Sequence, residues 1–271
     1  MCSSDLTTSI RLSNPLTFNN TGRVDVQSGT LSIGATGTHT GLFNVALGKT
    51  LNFSGDNSFT AETFQGGGTL TLSGGTQSFA GANVVTGTTL TVNGATLNGS
   101  GSIALDNASG LNLSSGVIGN ASVTVGGAFN WSGSGASAIS TGGGLTVNGG
   151  TTITGAGEKL VNGGVLILAS DTSWDGAGRI QLGNSFGSLG GSITNQVTRT
   201  FEVSGDGTLA NDIGGSGVFN NAGRFLKSGG LGTTSIRLSN PLTFNNTGRV
   251  DVQSGVLNVD ASLTQIGRAH V

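Results

Sequence analysis

The densest gathering of side chains able to do chemistry is the run Ser170 to Arg179, SDTSWDGAGR, which holds Asp171, Trp174, Asp175 and Arg179. Two carboxylates beside an indole are the equipment of glycoside hydrolysis, one acting as acid and the other as nucleophile or base. The same letters have a plainer use. Asp closes turns by accepting a hydrogen bond from nearby backbone, and a Trp packs at a corner. The plainer reading is favoured here, so no catalytic residue is assigned and the chain reads as a non-enzyme.

Other candidates are thinner. His39, in Gly37-Thr38-His39-Thr40-Gly41, has no marked partners for a zinc site or a Ser-His-Asp triad, and it reads as a solvated turn residue. Calcium-binding rolls need GGxGxD; the nearest match, Gly214-Gly215-Ser216-Gly217-Val218-Phe219, puts Phe219 where the ligand Asp belongs. The triplets Gly66-Gly67-Gly68 and Gly142-Gly143-Gly144 lack the Lys-Ser/Thr ending and following helix of a phosphate loop, and read as turns. No metal or cofactor is expected. Thr-x-Thr pairs at Thr69 and Thr71, Thr89 and Thr91, and Thr36, Thr38 and Thr40 could bind ice if they formed one flat array. The pairing lapses at Leu111, Phe129 and Ile180, and outward Thr is an ordinary strand residue. Asn93, Asn112, Asn130 and Asn148 recur near strand ends and are expected to stack into amide ladders.

The elements that must carry these residues are visible in the spacing. Residues Thr7 to Gly29 recur letter for letter at Thr233 to Gly255, 226 positions later. Within the unit, short strands start at Ser9, Leu16 and Arg23, with another at Thr30, each seven residues on. Three sides of seven make one turn of a parallel β-helix. An x-apolar-x-apolar strand then recurs down the chain: Leu31, Leu51, Leu70, Leu90, Leu111, Phe129, Leu145, Leu166, Ile180 and Phe201 open it. Most steps are 18 to 21 residues, and the step of 14 is two sides. Alternation sends one set of side chains in and the other out. Gly74-Gly75, Asn93-Gly94, Asn148-Gly149 and Asn162-Gly163 supply the corners. Ala156 to Leu160 reads as a loop.

The fold expected is therefore all-β, a right-handed parallel β-helix with about 20–21 residues per coil. Hexapeptide coils of eighteen, the left-handed pattern, do not match. One coil cannot bury enough apolar surface to stand alone, so stability comes from stacking. About twelve or thirteen coils at ~4.8 Å make a rod ~60 Å long.

Composition narrows the function. Charged residues are 9%, net charge is −2, and Gly is 51 of 271. Nucleic-acid binding needs a basic footprint that is missing. No apolar run reaches the ~18 residues of a spanning helix. The ends differ from everything between. Codons for MCSSDL and, on the opposite strand, for IGRAHV can be written as reverse complements, the mark of a sequencing adapter. Residues 1–6 and 265–271 are thus expected to be adapter-derived, leaving 7–264 as one β-helix segment cut at both ends. The sole Cys, Cys2, falls in those ends.

Phe18-Asn19-Asn20-Thr21-Gly22, Phe219-Asn220-Asn221-Ala222-Gly223 and Phe244-Asn245-Asn246-Thr247-Gly248, each followed by RVDV or RFLK, resemble the repeats of long bacterial surface proteins. More broadly the chain resembles autotransporter passengers and filamentous-haemagglutinin-type adhesins. That resemblance implies a secreted or surface-exposed stalk, with glycans or surface proteins as partners and flanking coils of the same protein at each end. A carbohydrate-active β-helix enzyme is the alternative, and ice binding the third reading.

Overall fold

The computed structural model describes residues 6–10, 16–140, 142–183, 190–212, 214–238, 240–265 and 268–270. Arg11 and Leu12 of the first expected strand lie outside them, as do most of the two suspected adapter segments.

The described chain is a parallel β-solenoid with three faces. The first face stacks Thr30–Ile33, Thr50–Phe53, Thr69–Leu72 and their successors to Arg249–Val252. The second runs from Gly37–His39 and Asn57–Thr60 to Val256–Asp260. The third is a separate sheet of 12 described strands, from Arg23–Val26 to Ser262–Gln265. Every pairing between these strands is parallel and joins one coil to the next, as in Leu31 with Leu51, Leu51 with Leu70 and Leu70 with Leu90. The first two faces merge where Thr89–Asn98 and Leu111–Ile118 run through the corner as single bent strands. There the register slips around Asn93, and Gly94 takes φ +105°. A β-bulge replaces a turn, and Gly supplies the left-handed residue it needs.

Alternation builds the core. On the first face the inner positions form two columns, one from Leu31 through Leu111 and Phe129 to Val250, the other from Ile33 through Trp131 and Trp174 to Val203. One continuous apolar cluster fills the solenoid. Aromatic rings thicken it in two places. Phe43 stacks on Phe64 and Phe59 on Phe79, at 5.6 and 5.0 Å between centroids. Towards the other end Phe201 stacks on Phe225 and Phe219 on Phe244, at 5.6 and 5.7 Å. Parallel coils place like rings one above another, and the offset stack adds to the area they bury.

Coil length is not constant. Thr30, Thr50, Thr69 and Thr89 pair in steps of 20, 19 and 20 residues. Further on, Thr172 pairs with Phe201, Phe201 with Phe225 and Phe225 with Val250, in steps of 29, 24 and 25. The apolar ladder expected from sequence therefore changes face. Leu145 and Leu166 belong to the third face and Ile180 to the second. The 21-residue step from Ile180 to Phe201 is two sides of an enlarged coil, not one regular turn.

Candidate functional site

His39 is not solvated. It ends the strand Gly37–His39 with only 1% exposure. Thr38 and Thr40 point out, so alternation turns the imidazole in. Its ring stacks on Phe59 at 5.0 Å and meets Phe43 edge-on at 5.3 Å. Nε2 sits 3.1 Å from Asn57 Oδ1. Burial pushes the imidazole pKa down, with the Asn57 contact a smaller opposing effect. It is a neutral core ring.

Three further buried ionisable groups brace corners. Glu62 accepts from Gly41 N–H at 2.9 Å, and burial lifts its carboxyl to about 7 against those backbone bonds. Lys159 opens a second-face strand, Lys159–Asn162, where the sequence reading placed a loop; only Ala156–Glu158 remain outside strands. Its Nζ donates to Gly155 O and Gly157 O at 3.0 and 2.8 Å. Lys227 occupies the inner column after Val203 and donates to Gly205 O, Gly229 O and Asp206 Oδ1. Both lysines reach from inward positions to backbone carbonyls at a corner, and Glu62 reaches a corner N–H instead.

The FNN motif serves a ladder. Phe219 and Phe244 enter the core, Asn220 and Asn245 point out, and Asn221 and Asn246 turn in at the strand end. Asn195 Nδ2 donates to Asn221 Oδ1 at 2.8 Å, and Asn221 Nδ2 to Asn246 Oδ1 at 2.7 Å. Asn195 and Asn221 donate in addition to the carbonyls of Arg224 and Arg249. Outside, Asn245 donates to Asn220 at 2.9 Å. Of the four asparagines expected to stack, Asn112 and Asn130 do, at 2.9 Å on the first face. Asn93 sits at the bulged corner, and Asn148 follows the third-face strand Gly144–Val147. The buried ladder escaped sequence reading, although the doubled Asn after Phe was its signal.

Asp171 and Asp175 do not converge. They flank the strand Thr172–Trp174, about 13 Å apart along an extended chain, beyond the ~5–9.5 Å of glycosidase carboxyl pairs. Trp174 between them is in the core, not at a corner. Asp175 accepts from Ala177 N–H at 2.9 Å and closes its turn. Arg179 is ion-paired with Asp212, which also binds Arg237. Of the glycine triplets, Gly66 and Gly67 form a corner with φ +112° and +83°. A Cβ on Gly66 would come within 2.5 Å of Val45 O.

What the structure does bring together is Asp171 with Glu202. Asp171 accepts from Thr200 N–H at 2.8 Å, and Ser173 pairs with Glu202. The two acids are thus one coil and two residues apart, about 8 Å between Cα atoms. They line a trough of about 450 Å³ on the outside of the first face, with Arg224 as a third wall. The hollow opens where Ala128 and Gly150 leave the outer column nearly bare. Glu202 accepts from Ser228 Oγ at 2.6 Å, and Arg224 Nε donates to Asp251 at 2.5 Å.

No family model and no curated protein matches the chain. Among solved structures it is similar to a TibC-catalysed hyper-glycosylated fragment of TibA. The match covers 98% of each chain at 19% identity, with a TM-score of 0.31.

Proposed function

We propose that this chain is a stalk-like, adhesin-type segment of a secreted or cell-surface bacterial repeat protein. One observation carries the reading. Two stretches of the same 23 letters form strands on different faces at the two ends of the rod. Thr7–Ile10 lies on the first face and Thr233–Leu238 on the second; Arg23–Val26 lies on the third and Arg249–Val252 on the first. A unit that serves on more than one face is selected for coil formation rather than for a fixed arrangement of reacting groups. The single core and the outward Thr, Ser and Asn fit a stiff polar rod. No helix among the described residues is long and apolar enough to cross a membrane. The separation of Asp171 from Asp175 weighs against the hydrolytic alternative.

Small-angle scattering tests the reading. The chain is expected to be a rod about 60 Å long. Deleting the regular coil 69–88 is expected to shorten it by about 4.8 Å and leave it folded. A compact particle, or collapse on removing that one coil, overturns the stalk.

A further inference from the structure

We propose that the trough between Asp171, Glu202 and Arg224 is a binding site for a neutral oligosaccharide, an inference that rests on the adhesin-type reading and supplies its ligand. The chemistry of the walls carries it. Each carboxylate is bonded through one oxygen, Asp171 Oδ1 to Thr200 N–H and Glu202 Oε1 to Ser228 Oγ. The other oxygen of each is an acceptor for a sugar hydroxyl. Arg224 engages Asp251 through Nε, and its planar fork presents further donors. Vicinal hydroxyls, each both donor and acceptor, match such paired planar groups. Leu226 and Ala128 add apolar surface for the C–H face of a ring.

Charge selects the class. Asp251 is bonded to both Arg224 and Arg249, so the neighbourhood holds three carboxylates against two guanidinium groups. A polyanionic glycan would be repelled, and a neutral one would not. Length follows from the column leading to Glu202. Asn112, Asn130, Thr152 and Ser173 lie in register on successive coils, uncharged and hydrogen-bonding. A strip with a rise of about 4.8 Å per coil offers several sugar units a contact each. It therefore fits a chain laid along the rod rather than a single ring.

The test uses the immobilised full chain with neutral hexasaccharides of glucose, mannose, galactose and N-acetylglucosamine, and a polyuronate as the charged control. At least one neutral series is expected to bind. The double substitution Asp171→Asn with Glu202→Gln is expected to weaken it tenfold or more, while Asp260→Asn on the second face has no effect. The amide oxygens of the double variant still accept from Thr200 and Ser228, and an unchanged melting temperature checks its fold. The proposal is overturned if no neutral series binds, if the polyuronate alone binds, or if the folded double variant binds as the parent does. Each of those failures leaves the rod-length measurement untouched, so the site and the stalk fail separately.

Discussion

Arg23-Val24-Asp25-Val26 and Arg249-Val250-Asp251-Val252 are the same four residues in the same kind of strand, yet their carboxylates live differently. Asp25, on the third face, is 35% exposed in its side chain and is held by Arg23 and by Asn44 at 2.8 Å. Asp251, on the first face, is 4% exposed and lies between Arg224 and Arg249, each at 2.5 Å. The strand and its inward Val are written in the letters. The face is not. It follows from the accumulated length of the coils between, and 226 residues carry the chain through ten coils and one extra side. Neighbours one coil away then decide what an identical residue does.

The FNN units break this comparison most sharply. Asn221 is both donor and acceptor within the buried ladder, whereas Asn20, in the first copy, donates to Leu42 O at 3.3 Å and accepts from Gly22 N–H. Asn221→Ala strands the Asn246 carbonyl oxygen and takes the side-chain donor from the Arg249 carbonyl in a dry corner, while the Asn195 amide keeps the carbonyls of Arg199 and Arg224. A loss of about 3–5 kcal/mol is expected, at the cost of 1–3 kcal/mol per buried unsatisfied group. Asn20→Ala should cost distinctly less. Thermal melts of both variants decide it, and equal losses would mean that the ladder adds nothing to its members.

Asp251 comes next. Asp251→Ala leaves two guanidinium groups facing each other and is expected to cost about 3 kcal/mol, the lower end for breaking a buried pair because both arginines are partly exposed. Asp25→Ala should be close to silent. Burial alone would raise the Asp251 carboxyl, but hydrogen bonds from Arg249 and Arg224 outweigh it and hold the pKa below the ordinary value. A depressed folded pKa contributes stability that is present above the unfolded value and lost as pH falls through the folded one. Acid denaturation of the wild type should therefore sharpen below about pH 4, and Asp251→Asn should remove that part of the slope. An unchanged acid limb would show that the arginines do not hold the carboxylate.

How much of this could be read from the letters follows from coil regularity. Between Thr30 and Leu113 both inner positions of each first-face strand are apolar and the step is near twenty, so period and alternation agree. Beyond Phe129 the inner column passes through Thr151 and Thr172, and the coils lengthen. The apolar signal then reappears on other faces, which is why Leu145, Leu166 and Ile180 look like one ladder. Trough formation depends on Asp171 meeting Thr200 across 29 residues, a register that no local pattern announces. His39, Lys159 and Lys227 were hidden for a different reason. Polar residues are read as outward by default, and only strand phase reveals that these point in. Gly37-Thr38-His39-Thr40 did contain that phase, since two flanking Thr on the solvent side force the residue between them into the core.

Glu62 gives an effect of a size similar to that of Asp251 and of the opposite pH sense. It is fully buried at the entrance to a third-face strand, and Oε1 has no protein partner. Its folded pKa of about 7 stands above the ordinary 4.5, so the native state keeps a proton that the unfolded chain has already released. Between those two values the native form binds more protons, and stability falls as pH rises. Above about pH 7 the penalty is complete, on the order of 3 kcal/mol. Glu62→Gln keeps the oxygen that accepts from Gly41 and never ionises. The variant should match the wild type near pH 4, gain on it steadily to pH 7, and hold a constant advantage above that. Asp251 acts below this window and Glu62 within it, so denaturant melts from pH 3 to 8 separate a carboxylate the fold needs charged from one it needs neutral. A Glu62→Gln curve parallel to the wild type through pH 5–7 would mean that the carboxylate reaches water and that its corner is open.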